Sequence, residues 1–397
     1  MSNTSTNGSN GKSSWHSIAN QLSLELAATA PVREAETRRP TTELNRLRES
    51  GLVSVTVPTE FGGGGADWKS SVELVREISK GDGSVGALFG YHLLDLATTE
   101  LCGTPAQREH FGRETVRNRW FWGGVINPLD ADLVAVPTGD GFVLNGRKTF
   151  CTGATLADQI LVNAKIPNFE GPAFFAIPGN REGILAGNDW NNLGFRLTES
   201  GSVTFKDVWA GTDERLGGDQ PLDPTVSSLN VPMIQLLFTN YYLGSALGAL
   251  ESARTYILNR SRPWFLSKAE TAAKDPYTIA AYGELSVNVN AAIATADRAA
   301  SALQNVLDNL ARITPRQRGE VAVQVAAAKV FVARTALDVT SKIYELTGAR
   351  STAAQFGFDR FWRDVRTHTL HDPLAYKVRE VGDYFLNDQL PEPTFYT

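Results

Sequence analysis

Between Trp120 and about Asp223 the chain changes its period, and this change limits the fold more than any other feature. On either side, apolar residues recur every three or four positions, as amphipathic helices require. Inside the segment, short runs are punctuated by Gly, Pro, Asn and Asp: WFWGGV, LVAVPT, FVLNG, KTFCTGA, QILVNAKI, AFFAIP and SVTFKDVWA. Such alternation predicts a small antiparallel barrel or sandwich of about seven strands. Within it, VLNGRKTFCTGA (Val143 to Ala154) reads as two strands joined at Asn145-Gly146, a pair suited to the positive backbone dihedrals of a two-residue hairpin.

The segment before it, 13–119, is helical. Trp15, Ile18, Ala19, Leu22 and Leu26 keep helical spacing, Arg39-Pro40 interrupts, and Thr41 and Thr42 are expected to cap a helix carrying Leu44, Leu47 and Leu52. Gly62 to Gly65 suggest a phosphate cradle only superficially: no Lys-Ser/Thr follows and no βαβ pattern surrounds them, so a plain loop is expected. Ser84 is the expected N-cap of a helix on which Leu88, Tyr91, His92 and Asp95 share one face. That face can line a pocket, and Phe89 and His92 of this helix are pocket candidates. On the residues alone, a core face with satisfied polar tips is favoured.

From 226 onward the chain is helical again. One helical run spans YYLGSALGALESARTYILNRSRPW, a second is opened by Asp275-Pro276 and runs past Leu310, and a third is opened by the capping box Thr314/Gln317 with Pro315 in its first turn. Gly348 ends the third. Long helices with short connections predict an antiparallel bundle. The expected division is a disordered polar tail at 1–12, a helical domain at 13–119, a β-domain at 120–225 and a helical bundle with a C-terminal tail at 226–397.

Composition narrows the class. At 397 residues the chain is longer than one core usually serves. A formal charge of −5 argues against nucleic acid or an anionic membrane as partner. Two cysteines with no CxxC pair make neither a disulfide scaffold nor a metal framework. There is no basic region followed by an apolar run at the N-terminus, and no apolar stretch nears the roughly 20 residues that cross a bilayer. A cytoplasmic enzyme is expected.

In order and wording, these segments resemble the acyl-CoA dehydrogenase superfamily along nearly the whole chain. GLVSVTVPTEFGG is similar to its early G-L…P…G-G segment, and VLNGRKTFCTGA to the VLNGxKxWITN hairpin that lines its flavin. FDRFWRDVRTHTLHDP falls where the family has arginine-rich final helices. The resemblance implies an α+β multidomain fold: a helical N-terminal domain, a central antiparallel β-barrel or sandwich, and a C-terminal four-helix bundle. FGYHLLDLA, WFWG with NPLD, NDWNNLGFRLTESGS, RPW with DPYTI, and GFDRFWRDVRTHTLHDP carry a closer resemblance, to the reduced-flavin monooxygenases of organosulfur compounds.

Acyl-CoA dehydrogenases need a glutamate to take the α-proton. Its usual position reads His371-Asp372-Pro373 here, and the alternative position falls in the apolar run near Ile234. Pro373 removes the Gly-Thr that holds a dinucleotide flavin, so FMN is favoured over FAD. The resemblance then implies a two-component enzyme. A separate NAD(P)H-dependent flavin reductase supplies reduced FMN, O2 forms a C4a-hydroperoxide, and its distal oxygen passes to sulfur; a homotetramer is also implied. No nicotinamide-binding motif occurs in the chain.

Carried over residue by residue, His371 is the proton donor, with His368 a lesser candidate. Thr152 bonds the flavin near N5, Phe150 lies against the isoalloxazine and Tyr91 stands near the reacting oxygen. Asn127 contacts the cofactor, Trp190 walls the substrate pocket, and Arg262 and Arg366 hold the phosphate, Arg262 across a subunit interface. Without the resemblance each has a plainer role: a satisfied histidine, a strand threonine, core aromatics, surface ion pairs. Rival activities are an FAD-dependent acyl-CoA dehydrogenase, an N- or aromatic hydroxylase of the same fold, and a non-catalytic flavin-fold binder. Gly124 stands where the aromatic-sulfur enzymes have asparagine, and the lid beside it is short. NPLD resembles the alkyl-sulfur enzymes and LNDQLPEPTFYT the aromatic ones, so both dibenzothiophene-like and alkyl substrates are expected candidates.

Overall fold

The computed structural model describes residues 7–397 except 131, 172 and 219–221, with side chains from residue 14 onward. Helix α1 spans Asn7–Glu36, so helix begins earlier than the expected boundary at 13; residues 1–6 of the expected tail lie outside the described residues. Helix α2 (Thr41–Ser50) starts after Pro40 with no side-chain cap, so Thr41 and Thr42 do not cap it, and it ends at Gly51 in the left-handed region. Helix α3 (Trp68–Gly81) is capped by Asp67, which accepts from Ser70 N at 2.7 Å. Helix α4 (Gly83–Cys102) is capped by Asp82 and not by Ser84: Asp82 accepts from Val85 N at 3.0 Å, whereas the Ser84 hydroxyl accepts from Leu197 N. Helix α5 (Pro105–Asn118) opens with a Thr104/Gln107 capping box. Gly62 to Gly65 are a loop, as expected, pinned by Gly64 N to Ser54 O and Gly65 N to Val57 O.

The β region has the expected seven strands, divided between two sheets. Strands β1 (Trp122–Val125), β4 (Gln159–Asn163) and β5 (Phe174–Pro178) form one sheet, in which β1 and β4 run parallel. Strands β2 (Val134–Thr138), β3 (Gly141–Lys148), β6 (Ile184–Ala186) and β7 (Val203–Gly211) form an antiparallel sheet in the order β2-β3-β7-β6. Asn145-Gly146 is not a hairpin turn. It lies inside β3, at a bulge opposite β7, while the β2–β3 turn falls at Gly139-Asp140. Gly146 takes φ 133°, and a Cβ there would stand 2.1 Å from Asp132 O, so the pair serves a close backbone approach. KTFCTGA is therefore not a separate strand: the chain leaves the sheet after Lys148.

A short helix, α6 (Pro224–Ser227), leads to α7 (Asn230–Asn259), α8 (Pro276–Leu307) and α9 (Pro315–Thr347). The Thr314/Gln317 capping box and the Gly348 stop occur as expected, but α8 ends at Leu307, short of the expected run past Leu310. Helices α10 (Asp359–His368) and α11 (Leu374–Asn387) follow. Helix α7 is apolar on nearly every face because it is enclosed: α3, α4, α8, α9 and α10 all pack on it. One core runs from Leu22 and Leu74 through Phe238 and Leu243 to Val332, joining the first and last helical segments. A second core fills the space between the two sheets. No described helix is long and apolar enough to cross a membrane, and no cluster of metal-ligating side chains occurs among the described residues.

Candidate active site

The segment after β3 folds against β1. Gly124 N donates to Thr152 O at 3.1 Å, Cys151 N to Gly201 O and Gly153 N to Thr198 O. Gly123 permits the approach, since a Cβ there would lie 2.7 Å from the Gly153 carbonyl carbon. These bonds turn Thr152 inward and Phe150 outward. The Thr152 hydroxyl meets Ser200 Oγ at 2.9 Å, Ser200 meets Thr198 at 2.7 Å, and Thr198 donates to Phe195 O. The Tyr91 side chain, from α4, lies beside the Thr152 hydroxyl.

Phe150 is held at φ 55°, an uncommon conformation for an aromatic residue, and leaves 63% of its surface uncovered. Trp190 meets it edge to face, with centroids 6.1 Å apart, and anchors its own indole N–H on Phe195 O at 2.8 Å. The Trp190–Phe195 loop is fixed to α10 by Phe195 N donating to Asp364 Oδ1.

The opposite wall comes from the turn between α10 and α11. His368 and His371 stack nearly parallel, 5.5 Å apart at 9°. Phe238, from α7, touches both with its ring, at 4.3 Å and 4.8 Å, and Tyr91 lies 6.1 Å from Phe238. Tyr396, held by Lys377 on its carbonyl and by Arg318 on the neighbouring Thr397 oxygen, stands 5.9 Å from His371. Tyr91 and His371 thus meet across Phe238, and Thr152, close in chain to the Phe150–Trp190 side, lies beside Tyr91.

The electrostatics separate the roles. Nδ1 of His371 lies 3.2 Å from Asp372 Oδ1, and the same oxygen pairs with the buried Lys329 ammonium, which also donates to Gln235. Burial opposes ionisation of Asp372, but the His371 hydrogen bond and Lys329 hold its carboxyl well below the usual range. Burial lowers Lys329 to about 8 against the pull of Asp372. His368, lowered well below its ordinary value by burial and by His371 and Lys329, is neutral, and its Nδ1 meets the Tyr242 hydroxyl at 3.0 Å. Burial raises Tyr91, so its hydroxyl keeps its proton.

Other expected site residues lie elsewhere. His92 is not a pocket residue: it is wholly buried, its Nε2 meets Val53 O at 2.7 Å, its Nδ1 accepts from Trp122 N at 3.0 Å, and its ring stacks on Phe121. Burial lowers it to about 4. Phe89 is likewise wholly buried in the helical core. Asn127 spends its side chain on Asp130, Thr149 and Leu129 N, which shape the NPLD loop. Arg366 is half-buried on α10 and makes no ion pair among the described residues; Arg262 is exposed after α7 and touches none of the site residues named here. Sequence reasoning missed Phe238, Tyr396 and Lys329. Only Lys329 left a signal, a single charge inside the apolar run VAAAKVFV.

Family models match the chain in three consecutive pieces: the acyl-CoA dehydrogenase N-terminal domain over 16–119, its middle domain over 129–208 and its C-terminal domain over 236–375. The chain belongs to the acyl-CoA dehydrogenase family and, within it, to the branch of flavin-dependent monooxygenases. Among curated relatives, it is 43% identical to dibenzothiophene monooxygenase of Mycolicibacterium goodii over 95% of both chains. It is 41% identical to a probable FMNH2-dependent monooxygenase of Pseudomonas putida over 96% of both. Among solved structures, methanesulfinate monooxygenase of Pseudomonas fluorescens superposes with a TM-score of 0.93 at 41% identity, covering 96% of this chain and 99% of that one.

Proposed function

We propose that this protein is a two-component monooxygenase that takes reduced FMN from a separate flavin reductase and uses O2 to oxygenate the sulfur of a small organosulfur compound. The observation that carries this reading is the fate of Asp372. It is the carboxylate beside the position where a dehydrogenase has its base, and it is already engaged by Lys329 and His371. The site therefore presents a histidine and a threonine, groups that hold and deliver a proton, in place of a free carboxylate.

The residues fit a planar flavin. Phe150 is an aromatic ring left uncovered by folding, Thr152 offers a fixed hydroxyl beside it, and Arg366 is a cation without an ion-pair partner among the described residues. When bound, reduced FMN supplies the electrons that activate O2. The chain's own groups then do the rest. With Nδ1 engaged by Asp372, His371 has Nε2 left to hold or give a proton. Thr152, fixed by Ser200, positions a hydrogen bond at the opposite wall, and Tyr91 adds a neutral donor. Phe150, Trp190 and Tyr396 keep water from the reacting atoms. Arg366 and, across a subunit interface, Arg262 are assigned to the phosphate.

Two finer points belong to the same reading. Trp264, Phe265 and Leu266, just after Arg262, are 67%, 78% and 72% exposed, which supports burial between copies in a homotetramer. Both cysteines are free and buried, which supports a cytoplasmic setting where a reductase can supply reduced flavin. The test is incubation with FMN, NADH, a flavin reductase, 18O-labelled O2 and a panel of aryl and alkyl sulfur compounds. Labelled sulfoxide or sulfone supports the assignment. Flavin reduction by acyl-CoA thioesters with no reductase present would overturn it.

A further inference from the structure

We propose that Lys329 is a positioning residue for this reaction: acting through Asp372, it fixes the orientation of the His371 ring and keeps its proton transferable. The inference rests on the assignment of His371 as proton donor. Three elements build the arrangement. Helix α9 brings Lys329, α7 brings Gln235, and the turn between α10 and α11 brings Asp372 and His371. The side chains of Lys329 and Asp372 are 1% and 6% exposed.

Stability does not explain such a pair. Removing two charges from water costs about as much as their attraction returns, and an aliphatic replacement of similar volume is often neutral or better. An apolar position inside VAAAKVFV, facing a helical core, is where such a replacement would be easiest. The chain instead keeps an ammonium there and aims it at the carboxylate that touches His371.

The charges account for what the pair does. Asp372 Oδ1 receives both Lys329 Nζ and His371 Nδ1, while Oδ2 is buried with no partner among the described residues. An isolated buried carboxylate at 3.2 Å would hold the imidazole as its cation and resist release of the proton. Lys329 cancels most of that field, so the hydrogen bond orients the ring without trapping its proton. Lys329 also lies 5.2 Å over the ring of Phe238, which touches His371 on another side.

The groups facing this cluster leave the balance to the pair. His368 on α10, Tyr242 on α7, Tyr91 on α4 and Tyr396 in the C-terminal segment are neutral, with shifts that keep them so. Lys377 and Glu380 on α11 pair with each other at 3.0 Å, and Arg366 on α10 reaches Tyr242 through space.

The test follows the titration of His371 itself. The full-length protein contains five histidines, so selectively labelled imidazole signals can be assigned by single substitutions and followed with pH in the flavin-free state. Lys329→Met should raise the His371 titration midpoint by about one to two pH units. The high-pH limit of product formed per O2 consumed should move the same way, and Lys329→Arg should restore the wild-type midpoint. Asp372→Asn, as a second variant should Lys329→Met fail to fold, should lower the midpoint. A folded Lys329→Met protein with an unmoved midpoint and an unmoved coupling profile would reduce Lys329 to a structural role, as would an unmoved midpoint in Asp372→Asn. If His371→Ala keeps its coupling, the donor assignment fails instead, whatever the titration of the Lys329 variants shows.

Discussion

Gly124 faces Asp95: a Cβ on Gly124 would stand 3.2 Å from Asp95 Oδ1, and both oxygens of this wholly buried carboxyl have no hydrogen-bond partner among the described residues. Desolvation raises Asp95 far above the ordinary carboxylate range, so it is a neutral acid beside Tyr91. A side chain at 124 would crowd this carboxyl.

Asp95 makes stability depend on pH with a definite sign. Its folded-state proton affinity is raised, so its contribution is complete below the unfolded value near 4 and is lost as pH rises, by about 1.4 kcal/mol per unit until the folded group ionises. Asp95→Asn removes this slope. Chemical denaturation at pH 4.5 and 7.5 should show the variant gaining on the parent at the higher pH; an equal difference at both would count against a neutral Asp95.

His92 acts in the opposite direction. Its folded value of about 4 lies below the ordinary 6.5, so neutral His92 contributes stability above pH 6.5 that is lost as pH falls toward 4, on the order of 3 kcal/mol. Neutral His368 adds to the same acid sensitivity. His92→Phe should flatten the acid limb of a melting-temperature profile, while leaving Val53 O and Trp122 N unpaired at a cost of about 1–3 kcal/mol each.

His371→Ala should bind FMN within a few-fold of the parent and still consume O2. Product per O2 should fall at least roughly tenfold, with hydrogen peroxide making up the difference, because loss of a positioned acid typically costs 10²–10⁴-fold. Simultaneous oxygen-electrode and product measurements decide it.

Thr152→Ala deletes the hydroxyl that bonds Ser200 beside Tyr91, and should cost about 1–2 kcal/mol of stability and uncouple turnover. Thr152→Ser should recover both, since it keeps the hydroxyl. Recovery of stability without recovery of coupling would show that the methyl, and not the hydroxyl, matters to the site.

Arg366→Ala should weaken FMN binding by about tenfold or more, as loss of a charge-assisted contact does. Arg262→Ala should do the same only in the assembled oligomer, so fluorescence titration alongside light scattering separates the two arginines.

The sequence by itself determined the helix–strand–helix order, because periods of 3.6 and 2 residues are local properties of a chain. It also determined the Thr314/Gln317 capping box and the loop character of Gly62 to Gly65, which depend on neighbours a few residues away. Resemblance along the chain pointed to Tyr91, Thr152 and His371, and the structure brings these three together. What local pattern misjudged was decided by partners far off in sequence. Asn145-Gly146 has the composition of a turn but lies at a bulge, because the backbone at Asp132 crosses where a side chain at 146 would stand. Strand β1 pairs parallel with β4, a register that no alternation pattern reveals. His92 and His371 look alike as residues. Val53 and Trp122 enclose one in the core, while Asp372, backed by Lys329 from 43 residues away, holds the other beside Phe238. Burial, and which charges share it, is a property of the packed molecule, and it fixes which side chains can hold or release a proton.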